Sequence, residues 1–311
     1  MTTPFKQVPY CELPDLPRLP HAFFEIPELQ VAVVTPEFGE TVASVRKLGA
    51  GPPLLLVHGL MTTAYSWRYV MAPLAQRFTV YAMDLPGAGR SSKPDVAYTP
   101  AALADWLHAL QKALEIGPCV VIGNSMGGYL CMVWALRQPE AITRLVVVHS
   151  PAAPLLRLWG LWLATRIPWA ARLLRLVIGD PLRFAHRNVH YWDETLKSLQ
   201  EAREYGEPLS SREGIRAFLG HLRDTMSAVD LARFRTTLLA RGQRGQTFGL
   251  PLQLVYARRD PMVPPAIGHQ LAAWIPDAEL VWLDQASHFA HVDASAAFLA
   301  VVMPFVEYAG T

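Results

Sequence analysis

The chain has 311 residues, enough for one large core or for a core carrying an inserted subdomain. Half of it is hydrophobic (51%) and only 17% is charged, the balance of a compact globular protein with an apolar surface or pocket. A net charge of +2 without any Lys/Arg block excludes a nucleic-acid partner. The three cysteines, Cys11, Cys119 and Cys131, are odd in number and poorly spaced for a disulfide framework, which fits a reducing compartment. No leader pattern and no apolar run of membrane-spanning length is found, so the expectation is a cytoplasmic protein.

In chain order, Pro4, Pro9, Pro14, Pro17 and Pro20 predict an extended arm lying on the surface. Val31 to Val34 and Val42 to Lys47 read as an antiparallel hairpin. Leu54 to Val57 is a short buried strand ending in His58-Gly59, and Thr79 to Met83 another ending in Asp84-Leu85-Pro86-Gly87. Pro100 to Leu114 has helical spacing through Leu103, Leu107, Leu110 and Leu114. Cys119 to Ile122 is a β-branched strand and Tyr129 to Arg137 an apolar helix that stops before Pro139, and Leu145 to Val148 is a further strand. From about Pro151 to Gly249 the spacing is helical throughout, and the β/α rhythm then resumes with Leu252 to Tyr256, Ala266 to Trp274 and Glu279 to Leu283. This alternation predicts an α/β fold: a mostly parallel eight-stranded sheet with helices on both faces. Residues 1–150 and 250–311 form the core, and 151–249 form a helical cap inserted after the sixth strand.

The most informative stretch is Gly123-Asn124-Ser125-Met126-Gly127-Gly128, between the Cys119 strand and the Tyr129 helix. Glycines two before and two after Ser125 permit a sharp strand-to-helix turn that exposes one serine for nucleophilic attack. A serine hydroxyl needs an adjacent base, and the base needs an orienting acid. Asp260 follows the penultimate strand and His288 the last, which predicts a Ser125–His288–Asp260 triad with oxyanion donors at the Leu60 and Met126 amides. His291 is the rival base, three residues on, where a helix would turn it away. His58 reads as a structural hydrogen-bonder and Asp84 as a turn carboxylate holding backbone N–H groups. His288 and His291 lack a third ligand at zinc-binding spacing, so no metal and no cofactor is expected.

These landmarks, from Val31 to Glu307, resemble the α/β-hydrolase superfamily, with a serine nucleophile and a lid. The stretch from His58-Gly59 through Tyr65, Trp67 and Arg68 is similar to haloalkane dehalogenases and epoxide hydrolases. Those families use an aspartate where Ser125 stands, and dehalogenases hold halide with residues that here are Leu60 and Met126. Asn-Ser-Met-Gly-Gly resembles the carbon–carbon bond hydrolases of ring-cleavage products, whose Ser/Gly/Pro-rich stretch after His-Gly is replaced here by Leu60-Met61-Thr62-Thr63.

The resemblance implies a carboxylic ester hydrolase acting on a small apolar substrate through an acyl-enzyme. The alternatives are carbon–carbon bond hydrolysis, or a ligand receptor with vestigial hydrolysis.

Within the cap, Ala152 to Arg187 holds Trp159, Trp162 and Trp169, six arginines and one acid, Asp180, with Pro154 and Pro168 as helix starts. Two readings stand open. One is a lid packing leucines on the core beneath solvated arginines. The other is an apolar tunnel lined by Trp159 and Trp162, with a basic face suited to lipid surfaces. Leu196 to Leu239 reads as ordinary amphipathic helices, and oligomeric state is not legible.

Overall fold

The computed structural model describes residues 3–151, 156–167, 169–245 and 247–307; Pro154 and Pro168 lie outside them. Eight strands form one open sheet: β1 (Glu28–Thr35), β2 (Gly39–Leu48), β3 (Pro53–Val57), β4 (Thr79–Met83), β5 (Cys119–Asn124), β6 (Ile142–Val148), β7 (Leu252–Ala257) and β8 (Glu279–Leu283). Their order is β1-β2-β4-β3-β5-β6-β7-β8. β2 runs antiparallel to β1 and to β4, and every other pairing is parallel.

The helices are α1 (Met71–Leu74), α2 (Pro100–Ala113), α3 (Met126–Arg137), α4 (Leu156–Ala164), α5 (Ala170–Ile178), α6 (Pro181–Asn188), α7 (Leu199–Gly206), α8 (Arg212–Gly220), α9 (Ala228–Gly242), α10 (Pro265–Trp274), α11 (Ala290–Asp293) and α12 (Ser295–Glu307). None is long and apolar enough to cross a membrane.

The central strands are apolar on both faces because helices cover both. Leu55, Val57, Val121 and Val147 pack with Leu103, Trp106 and Tyr129 of α2 and α3. The alternate residues Leu54, Leu56, Ile122 and Val148 pack on the opposite side with Met71 of α1 and Phe298 and Val302 of α12. Cys119 and Cys131 are buried and unpaired, ordinary small core residues, while Cys11 is exposed. Chain order reverses around β3, which lies between β4 and β5. In open α/β sheets the crevice at such a reversal, beyond the carboxyl ends of the strands, is where ligands bind.

Between β6 and β7 the described residues are wholly helical or irregular, α4 to α9. Serine or aspartate caps begin most of these helices: Asp180 accepts from the Leu182 and Arg183 N–H groups, and Ser198, Ser211 and Ser227 cap α7, α8 and α9. Asp180, the one acid of the Ala152 to Arg187 stretch, is therefore an N-cap.

A buried ion pair anchors this insertion to the core. Arg68, just beyond β3, donates to Glu201 of α7 at 2.5 Å, and Tyr191 donates to the same carboxylate at 2.6 Å. The proline-rich arm is more than a surface segment. The Leu199 and Gln200 N–H groups donate to Pro14 and Asp15, the Phe5 N–H donates to Trp192, and Phe23 and Ile26 are buried beside Arg46. The arm straps the insertion to the sheet.

Candidate active site

Ser125 sits between β5 and α3 with φ 55° and ψ −120°, a left-handed conformation that a residue with a Cβ adopts only under constraint. The constraint is close backbone packing. A Cβ on Gly123 would lie 2.8 Å from the Gly127 carbonyl carbon and the Gly128 Cα, and one on Gly127 would collide with the Val57 and His58 carbonyl oxygens. Gly59 of the β3 loop also packs closely on this turn, since a Cβ there would stand 3.0 Å from that of Ser125. The Ser125 N–H donates to Val148 at 2.7 Å and its carbonyl accepts from Tyr129 at 3.1 Å, which locks the turn between two strands and a helix.

His288 Nδ1 donates to Asp260 Oδ2 at 2.7 Å, and both side chains are buried. Asp260 Oδ1 accepts from the Met262 and Val263 N–H groups at 2.6 and 2.9 Å. Burial alone would push this carboxyl up, but the His288 ring and these hydrogen bonds outweigh it and hold the carboxyl below the usual range. With Nδ1 engaged as a donor, Nε2 is the nitrogen left to accept a proton. Ser125 and His288 line the same cavity, although no hydrogen bond joins them. Such contacts often tighten only with substrate bound.

The cavity is about 340 Å³. The core contributes Leu60, Met61 and Met126 beside Ser125, and the insertion contributes Leu174, Val177, Phe184 and Phe218. Among the described residues, Ser125, His288 and Asn188 are the polar side chains that line it, and no described lining residue is Arg, Lys, Asp or Glu. Met126 opens α3, so its N–H has no partner four residues back in the helix. Leu60 lines the cavity from the opposite loop.

Trp159 and Trp162, which one of the two readings of the cap placed in a substrate tunnel, are not among the residues that line this cavity. Trp159 is exposed along a shallow groove with Val229 and Arg233 of α9, and it meets Trp162 edge-on at 5.6 Å. The Arg166 guanidinium covers the Trp162 ring at 4.6 Å. Composition marks the stretch as apolar but not the direction in which each side chain points.

His291 is fully buried and stacks on Trp67 with ring centroids 4.2 Å apart. It lies outside the cavity, and burial holds its pKa well below the imidazole range. His58 is a hydrogen-bonder, as expected: Nε2 accepts from Leu85 and Nδ1 donates to Gly59. Asp84 accepts from the Ala64 and Arg90 N–H groups, each at 2.8 Å.

Two buried polar residues at the strand ends escaped the sequence reading. Asn124 donates to the His288 carbonyl at 3.1 Å, tying the turn at Ser125 to the histidine loop. His149, at the end of β6, lies 5.5 Å from the His288 ring and accepts from the Ala257 N–H at 2.6 Å. Burial lowers its pKa to about 3, so it stays neutral and brings no competing charge to His288. A polar residue directly closing an apolar strand of the central sheet was the signal for both.

Among the described residues no three His, Cys, Asp or Glu side chains cluster closely enough to hold a metal ion.

A family model described as the alpha/beta hydrolase fold matches residues 52–295, and the chain belongs to that family. Its curated relatives include 2-hydroxymuconate semialdehyde hydrolase of a Pseudomonas species, 26% identical over 88% of this chain and 95% of the relative. They also include pimeloyl-[acyl-carrier protein] methyl ester esterase of Aeromonas hydrophila, 27% identical over 85% of this chain and 98% of the relative. Among solved structures, Cfl2 of Burkholderia cenocepacia superposes with a TM-score of 0.75 at 20% identity, over 96% of this chain and all of that one. The fold and these relatives support hydrolase activity.

Proposed function

We propose that the protein is a cofactor-independent serine hydrolase of uncharged carboxylic esters with an apolar acid or alcohol part. Residues 1–150 and 250–311 supply the chemistry and 151–249 act as the cap. Ser125 Oγ attacks the ester carbonyl while His288 Nε2 takes its proton, and Asp260 stabilises the resulting imidazolium. The tetrahedral oxyanion accepts hydrogen bonds from the Leu60 and Met126 N–H groups. His288 returns the proton to the departing alcohol and then deprotonates a water, which cleaves the acyl-enzyme and frees Ser125 and the acid.

The observation that carries the ester reading is the polarity of the cavity. A ring-cleavage product such as 2-hydroxymuconate semialdehyde bears a carboxylate, and a buried carboxylate needs a cation or several donors. Among the described residues, those lining the cavity around Ser125 include neither Arg nor Lys.

The test compares kcat/KM on neutral p-nitrophenyl esters, on esters with a terminal carboxylate on the acyl chain, and on a carboxylate-bearing vinylogous diketone. Neutral esters are expected to lead. Preference for the diketone would replace this reading with carbon–carbon bond cleavage. Stoichiometric ligand binding without turnover would make the protein a receptor.

A further inference from the structure

The outer face of α4 and α5 concentrates exposed apolar side chains. Thirteen large hydrophobic residues are exposed among those described, and seven of them fall between residues 159 and 177. Trp169 is 74% and Leu176 80% exposed. Exposed large apolar side chains gathered in one short stretch mark a protein or membrane contact on a soluble surface.

Helical geometry orders this face. Leu173 and Leu176, three apart, share its centre, and Trp169, the residue before α5, is exposed at its start. Arg172 and Arg175 lie along one edge, and Arg166 sits in the turn before α5. Along the other edge Val177 is exposed and also lines the cavity, and Leu174 beside it lines the cavity from within. Residues 156–179 contain no acid.

The geometry points to this face as a docking surface for an anionic lipid bilayer, with the rim of the cavity at Val177 held at headgroup level. The apolar side chains would enter the boundary between headgroups and acyl chains, and the three arginines would reach lipid phosphates. Charge selects the occupant. A second copy related by a twofold axis would bring the same arginines face to face, whereas an anionic surface complements them. That the cavity then draws an uncharged ester directly from the lipid rests on the hydrolase reading of Ser125.

Flotation of the full chain with vesicles of phosphatidylcholine, with and without phosphatidylglycerol, tests this. The wild type is expected to float with the anionic vesicles, and less so as salt is raised. Arg172→Gln/Arg175→Gln should lose about thirtyfold in partition onto anionic vesicles, the effect of two interfacial arginines, with little change on neutral ones. Trp169→Ser/Leu176→Ser should lose partition on both compositions. Both variants should keep wild-type turnover of a short water-soluble ester, which shows that they fold. Failure of the wild type to float with anionic vesicles overturns the proposal, as does a soluble dimer that Trp169→Ser/Leu176→Ser dissociates. Flotation of a protein that turns over no ester supports the docking surface and removes only the hydrolase reading.

Discussion

The sheet and the helical insertion hold their residues in place by different physics. Around Ser125 position is set by backbone touching backbone, with Gly123 and Gly127 at separations that admit no side chain. The insertion keeps its place through a few longer-range ties: the buried Arg68–Glu201 pair with the Tyr191 hydroxyl, and the backbone hydrogen bonds of the N-terminal strap. The core wall of the cavity is therefore rigid and chemical, while the insertion wall is apolar and replaceable. Substitutions in the core should lower turnover of every ester, and substitutions in the insertion should change which ester is preferred.

The sharpest break of that contrast is at the two histidines. His288→Ala should lower kcat by several orders of magnitude, on the order of 10⁶ by comparison with well-studied triads. His291→Ala should leave kcat close to wild type below its melting temperature. It should nonetheless unfold more easily, because it opens a hole against Trp67. Kinetics and thermal melts on both variants check this, and the opposite ranking would make His291 the base.

Next in size is the anchor. Arg68→Met leaves the Glu201 carboxylate buried without its ion-pair partner, still accepting from Tyr191, and should cost about 3–5 kcal/mol in denaturant unfolding. Arg68→Met/Glu201→Leu should recover much of that loss, because a matched apolar pair removes the stranded charge.

A third effect depends on pH. Asp293 accepts from Trp192 of the insertion and from Ser287 of the histidine loop. Burial pushes its carboxyl up to about 7 despite those hydrogen bonds. The native state therefore keeps a proton that the unfolded chain sheds above about pH 4. This contribution is complete at low pH and is lost as pH rises through 7, at roughly 1.4 kcal/mol per pH unit at most. Asp293→Asn should flatten the dependence of Tm on pH between these limits, and an unchanged slope would assign it to another group.

The smallest effect is on chain length. Phe218→Ala should weaken kcat/KM progressively as the acyl chain grows, by about 0.8 kcal/mol per methylene that loses its contact. Trp159→Ser should lower no chain length selectively, because Trp159 stands outside the cavity.

How much of this was legible follows the same division. Backbone geometry is written locally, so glycines around a serine, together with acidic and histidine residues just past apolar strands, could be read from the chain. β5 and α3 were recognised with only their ends displaced: the strand runs on to Asn124 and the helix begins at Met126 rather than Tyr129. The inward direction of each helix in the insertion depends on packing between elements distant in sequence. The tunnel reading named Trp159 and Trp162, whereas the cavity takes Leu174, Phe184 and Phe218 from the insertion, for that reason. His149 and Asn124 went unread because their roles arise only when β5, β6 and the His288 loop come together. The strap resisted reading for a related reason: prolines predict extension but not the surface on which an extended chain lies.

The central claim is that Ser125 forms a covalent acyl-enzyme within the apolar cavity. Intact-mass analysis and peptide mapping after reaction with a fluorophosphonate test it most directly. The account predicts one adduct per chain on Ser125, absent in Ser125→Ala and formed far more slowly in His288→Ala. An adduct on another residue, or ester turnover at the wild-type rate in Ser125→Ala, would contradict it.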